Sequence, residues 1–131
     1  MIFVDTGVWF AVAVRQDPNH VVASRLIGEA TEELVTTAYV VDEALTLLRS
    51  RGYPAAAISV GRQLFENGVA RIHHAERQDV SAAWEAFRRF ADKDWSFTDC
   101  LSFVVMQRLG ITTAFSFDHH FRQFGTVAVV P

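Results

Sequence analysis

The sequence predicts an α/β fold: a parallel sheet of five strands with helices packed on both of its faces. Three observations predict it. Short apolar runs alternate with longer segments of helical periodicity along the whole chain. The runs are continuously apolar rather than alternating, as in strands buried on both faces. Two of them lead into aspartates, Asp5 and Asp118, at the carboxyl edge where such sheets build their sites.

The elements follow in order. Ile2-Phe3-Val4 reads as a buried strand ending at Asp5, and Thr6 to about Val14 as a short apolar helix. Asp17-Pro18-Asn19-His20 reads as a turn and helix start, since proline suits a first helical turn. That helix runs to about Ala30 with Val22, Leu26 and Ala30 on one face. Glu33 to Thr37 holds a second strand, and Ala38 to Arg51 a helix closed by Gly52 and Pro54. Pro54 to Asn67 is a further helix with Gly68 just past its end. Val69 to Ile72 is a third strand. Glu76 to about Ala91 is an amphipathic helix whose inner face is expected to carry Val80, Ala83, Trp84, Phe87 and Phe90. Thr98 to Leu109 is the most apolar helix, closed by Gly110; Ala114 to Phe117 and Val127 to Val130 are the last strands.

A chain of 131 residues fits one domain, 1–131, able to bury a real core. Half of it is apolar, with 11 Phe, which excludes a disordered segment. The net charge of −3 gives no bulk basic field, although a local basic rim could still meet a nucleic acid. One cysteine, Cys100, excludes an internal disulfide and fits a reducing compartment. No apolar run is long enough for a membrane span and no signal peptide is read, so a cytoplasmic location without membrane contact is expected.

Asp5-Thr6-Gly7 has the letters of an aspartic protease's catalytic triplet. Such a protease is mostly β, whereas here the triplet passes straight into a helix, with Gly7 expected to ease a tight passage. Four acids deserve comparison instead. Asp5 and Asp118 end strands, Asp99 opens the apolar helix in "WSFTDCLSF", and Glu43 lies between Val40 and Leu47 at helical spacing, pointing toward the interior or its border. Each has a plain alternative. Asp5 and Asp118 could cap helices, Asp99 could complete a capping box with Ser96, and Glu43 could pair with an arginine. Together they leave something unexplained, because carboxylates converging on one edge repel unless a cation sits among them or some are protonated. Mg²⁺ or Mn²⁺, hard cations that take oxygen ligands, would suit. Asp42, Asp92, Asp94 and Asp17 read as surface or turn residues.

These residues resemble a known family. Asp5 after its strand, Glu43 before "ALTLLRSR", Asp99 in "WSFTDCLSFVVM" and Asp118 in "FSFDHHFRQFG" look like the four acidic motifs of PIN-domain ribonucleases, in particular the VapC-type toxins of toxin–antitoxin pairs. The resemblance spans Met1 to Val130. It implies a PIN-like three-layer α/β/α sandwich with sheet order 3-2-1-4-5, and Mg²⁺- or Mn²⁺-dependent endonucleolytic cleavage of RNA by activated water. It also implies a homodimer and inhibition by a cognate antitoxin protein. Carried over, it makes Asp5, Glu43, Asp99 and Asp118 the metal site, with Asp5 and Asp99 as direct ligands. Thr6 and Ser116 match the family's hydroxyl positions beside the first and fourth acids.

Rival readings fare worse on the same residues. A phosphatase using Asp5 as nucleophile needs an acid two residues on, where Gly7 stands; a receiver domain wants a lysine near the last strand, and the only lysine is Lys93. A catalytically silent PIN-like domain binding RNA or protein would not need all four acids. Arg15, Arg122 and His119 are the candidates for RNA phosphates. His20, His73 and His74 show no zinc spacing. Trp95 is a candidate base-stacking residue, and the helix pair from Ala38 to Asn67 a candidate dimer or antitoxin face.

Overall fold

The computed structural model describes residues 1–131 and contains twelve elements. These are β1 (Ile2–Val4), α1 (Thr6–Ala13), α2 (His20–Glu29), β2 (Leu34–Thr37), α3 (Ala38–Ser50), α4 (Pro54–Phe65), β3 (Arg71–His73), α5 (Arg77–Arg89), α6 (Phe97–Leu109), β4 (Thr113–Phe115), a 3-10 helix (His119–Phe124) and β5 (Ala128–Val130). The five strands form one sheet in the order β3-β2-β1-β4-β5. Every pairing is parallel, so both the expected class and the expected order hold. Phe3 stands opposite Val35 on one side and Ala114 on the other.

Burial explains the placement. β1 and β2 are buried at every position, which suits central strands covered on both faces. β3 and β5 are partly open, which suits edges. Thr36, fully buried in β2, donates its hydroxyl to the Val4 carbonyl at 2.9 Å, so its polar atom is satisfied. Trp95, Phe103, Phe124 and Phe121 build an aromatic core, with Phe90 at 4.8 Å and Phe124 at 5.0 Å from Trp95, centroid to centroid. Burying such side chains contributes about 1.5–3 kcal/mol each. α1, α2, α3 and α4 pack against one another, and α5 forms a pair with α6.

The boundaries depart from expectation in four places. β4 ends at Phe115 rather than Phe117, so Ser116 and Asp118 lie just beyond the strand, and Asp118 precedes a 3-10 helix. β3 sits further along, at Arg71–His73. α2 starts at His20, because Asp17 Oδ1 accepts the Asn19 N–H at 2.8 Å and holds a turn there. Gly7 lies in α1 without a positive φ, so the passage from strand to helix does not require a glycine. Gly110 does, since it ends α6 at φ 70.

The largest correction concerns α5. Its buried residues are Asp79, Ala83 and Ala86, while Trp84 and Phe87 are 53% and 43% exposed. Two alanines on the inner face let α5 lie close to α6, and that turns the neighbouring aromatics outward. Asp79 compensates its burial with three partners. Arg108 donates at 2.7 and 2.9 Å, His73 Nε2 lies at 2.9 Å, and the Glu76 N–H donates at 2.9 Å.

Candidate active site

Asp5 occupies the N-cap position of α1, but its carboxylate makes no capping hydrogen bond to the helix. It is 5% exposed. Its Oδ2 accepts instead from the Ser116 hydroxyl at 2.9 Å, across the junction of β1 and β4. The plain capping reading therefore fails for Asp5. Burial raises its carboxyl from 3.8 to about 7, helped by the charges of Asp99 and Asp118 and opposed by the Thr6 backbone N–H and the Ser116 hydroxyl. A carboxyl in such a place is either protonated or balanced by a cation.

Asp99 is the third residue of α6. Its Oδ2 accepts the Ser96 N–H and its own N–H donates to Ser96 Oγ, both at 3.0 Å. The capping box is real, yet the same side chain is buried, and burial together with the Asp118 charge raises its pKa. One side chain both starts the helix and faces the site. Glu43 lies on α3, which touches α6. It stands at the exposed rim, so of interior and border the structure gives the border. Its pKa is nevertheless raised by burial of its carboxyl among neighbours and by the charges of Asp99 and Asp118, with the Thr98 hydroxyl opposing. Asp118 accepts the His120 N–H at 2.9 Å and so does cap the 3-10 helix. Its own N–H donates to Ser116 Oγ at 3.0 Å. Ser116 thus links the first acid to the fourth.

The four acids come from α3, α6 and the ends of β1 and β4, and the pKa shifts tie them into one electrostatic cluster. The donor set is all oxygen, which fits a hard divalent cation. Thr6 points the same way, since its buried Oγ1 has no hydrogen-bond partner within the protein. A hydroxyl so placed beside Asp5 has an acceptor and a donor to offer a bound group. Asp118, His119 and His120 also bring ligand atoms within 4.8 Å of one another. They are chain neighbours on one turn and the His119 side chain is 78% exposed, so their closeness follows from sequence adjacency rather than from a built cage.

The profile of the PIN domain matches residues 2–127. The chain belongs to the PIN-domain family. The 23S rRNA-specific endonuclease VapC20 of Mycobacterium tuberculosis is 36% identical over 132 residues, covering 100% of this chain and 99% of that one. A VapC ribonuclease of Archaeoglobus fulgidus is 31% identical over 123 residues, 90% of this chain and 77% of the relative. The crystal structure of Mycobacterium tuberculosis VapC20, described as a sarcin–ricin loop cleaving toxin, superposes with a TM-score of 0.92. Its identity is 34% and both chains are covered in full. FitAcB from Neisseria gonorrhoeae superposes at 0.71 with 18% identity over 100% of this chain and 97% of that one, which speaks for the fold alone. The VapC ribonuclease class expected from the four motifs agrees with these relatives.

The other candidate residues scatter. Arg15 lies beyond the far end of α1 and lines a cavity of about 410 Å³ with Trp9, His20 and Gln63, apart from the acids. Arg122, on the 3-10 helix, donates to the Pro131 carbonyl at 2.7 Å. Trp95 is buried with its Nε1 donating to Gln123 at 2.7 Å, so it offers no face to a base. Of the two histidines that follow the fourth acid, His120 is the one that meets the acids. Its Nδ1 lies 2.9 Å from Asp118 Oδ1 and 3.7 Å from Asp99 Oδ2. The angle is wrong for a hydrogen bond, and this buried nitrogen has no directional partner.

Proposed function

We propose that this VapC-type chain is a divalent-metal-dependent endoribonuclease acting as the toxin of a toxin–antitoxin pair. The observation that carries the reading is Asp5: a buried carboxylate at the sheet edge, beside Asp99 and Asp118, held by Ser116 and pushed up to about 7 by burial. In this reading Asp5 and Asp99 hold Mg²⁺ or Mn²⁺ directly, and Glu43 and Asp118 complete the ring from the rim. A bound divalent cation supplies the Lewis acidity that activates water and shields the phosphoryl oxygens. Ser116 fixes the orientation of Asp5, and the free Thr6 hydroxyl positions a water or phosphate oxygen beside it. The His120 ring lies between Asp118 and Asp99, where it would hold the two carboxylates in place. In this reading His119 and Arg122, on the turn after Asp118, would take up RNA phosphates, and Arg15 would do so only at a distance.

The full-length likeness to a 23S rRNA-specific endonuclease supports a ribosomal RNA loop as the substrate here. The groove between α3 and α4, about 420 Å³ and lined by Leu45, Ala57 and Ile58, suits the antitoxin or a second copy of the chain. No helix is long and apolar enough to cross a membrane, and a cytoplasmic location goes with this reading.

The test is calorimetric titration of Mn²⁺ into metal-stripped protein, beside Asp5→Asn and Asp99→Asn, with RNA cleavage followed with and without EDTA. Saturable binding lost in both variants, together with EDTA-sensitive cleavage, is expected. Cleavage that survives EDTA and both substitutions would sink the reading.

A further inference from the structure

The aromatic residues that α5 turns outward do not stand alone. Trp84 and Phe87 stack with centroids 6.1 Å apart and planes inclined by 20°. Phe87 meets Phe97 at 6.2 Å, and Phe97 meets Tyr39 at 6.3 Å. The four rings form a continuous line from the middle of α5, over the first residue of α6, to the first turn of α3. The inner end of the line reaches the acids at Tyr39. Phe97 stands two residues before Asp99, and Tyr39 one helical turn before Glu43, on the same side of α3. Trp84, Phe87 and Tyr39 are 53%, 43% and 37% exposed. None of them has a role in the acidic cluster, and their exposure is out of keeping with the packed aromatic core a few residues away.

We infer that Trp84, Phe87, Phe97 and Tyr39 form a stacking track for unpaired bases of the RNA, leading the strand to the acidic site. The inference rests on the ribonuclease reading and adds to it a substrate feature: the RNA bound has two or three unstacked nucleotides beside the scissile phosphate. Aromatic faces suit that occupant because every base has a π face. Arg88 lies 5.9 Å from the Trp84 ring centre, so one guanidinium flanks the outer end where a phosphate backbone would run. Arg88 also pairs with Glu85 along the helix. A second copy of the chain is the weaker occupant. Aromatic side chains bury about 150–250 Å² each, so three partly exposed rings offer about 300 Å², against about 800 Å² per partner in a stable dimer. The track's continuity with the acids is a further feature that a dimer contact does not need.

The experiment uses full-length protein carrying Asp5→Asn, in EDTA, so that binding is read without cleavage. A fluorescent single-stranded RNA and a fully paired RNA of the same length are titrated by anisotropy against this background, and against Trp84→Ala, Phe87→Ala and Trp84→Tyr added to it. Each alanine is expected to weaken single-strand binding about tenfold, and Trp84→Tyr to restore most of it. The paired RNA should be indifferent, and the salt dependence should keep its slope because no cation is removed. Unchanged affinity in both alanine variants overturns the track even if the wild-type enzyme cleaves RNA. A variant that alters the mass measured by light scattering overturns it in favour of a contact between copies. Failure of the ribonuclease reading is separate, and shows as wild-type protein that does not cleave RNA with Mn²⁺ present.

Discussion

The Ser116 hydroxyl donates to Asp5 Oδ2 at 2.9 Å while accepting the Asp118 N–H at 3.0 Å. One small side chain thus holds the buried acid of β1 and sets the backbone that presents the acid after β4. The arrangement needs the two strands to be neighbours, which their parallel pairing provides.

Ser116→Ala tests that link. Removing the hydroxyl takes away one of the two groups that lower the Asp5 pKa, so the carboxyl becomes harder to ionise. Losing such a supporting hydrogen bond typically costs 10- to 100-fold in metal affinity. Calorimetry should show Mn²⁺ binding weakened by about that factor, with the loss greatest at lower pH. Unaltered affinity would mean that Asp5 is positioned by the backbone alone.

The acid cluster also sets the pH dependence of stability. Burial, with Asp99 and Asp118, raises the Asp5 carboxyl from 3.8 to about 7. An acid whose folded pKa is raised binds its proton more tightly in the folded chain. Its stabilising contribution is therefore present below the unfolded value and is lost as pH rises through about 7. Glu43 and Asp99 are raised too and act in the same direction. Metal-stripped protein should lose stability between about pH 4 and pH 7, by up to on the order of 4 kcal/mol from Asp5. Asp5→Asn should flatten the trend, and saturating Mn²⁺ should reverse it at neutral pH. Thermal melts across that range, with and without Mn²⁺, read all three.

Much of this was legible in the sequence, for a physical reason. Strands buried on both faces read as unbroken apolar runs, so β1 and β2 announced both their existence and their parallel partners. Asp99 was legible twice, as a capping residue and as an acid beside the others, and the structure keeps both roles. The misses share one cause: which way a side chain turns is decided by the neighbouring element. The phase of α5 hangs on how closely Ala83 and Ala86 let it approach α6, and helical periodicity alone placed Trp84 and Phe87 inside. Val40 and Leu47 left Glu43 between interior and border, and only the packing of α3 decides for the rim. Asp79 went unnoticed because its partner Arg108 lies 29 residues away.

The double role of Asp99 separates two substitutions. Asp99→Asn keeps an oxygen that can accept the Ser96 N–H, so the start of α6 should survive. Asp99→Ala removes it, and losing a side-chain capping bond costs about 1 kcal/mol. Both variants remove the carboxylate and should abolish cleavage. Denaturant unfolding should place the asparagine variant close to wild type and the alanine variant lower by about that amount. Equal destabilisation by the two would show that the box does not hold the helix.

Asp79 offers the opposite pH signature, away from the acid cluster. Its burial alone would raise its pKa, but hydrogen bonds from Arg108, His73 and the Glu76 backbone outweigh that and bring it to about 2. A depressed folded pKa stabilises the chain above the unfolded value, and the contribution is lost as pH falls from 3.8 toward about 2. Asp79→Ala leaves Arg108 without its carboxylate and α5 without its capping box. The melting temperature at neutral pH should drop by roughly 5–10 °C, and the gap to wild type should close near about pH 2. RNA cleavage at room temperature should persist, because none of these groups joins the acid cluster. A loss of cleavage with the melting temperature intact would instead place Asp79 in the active site.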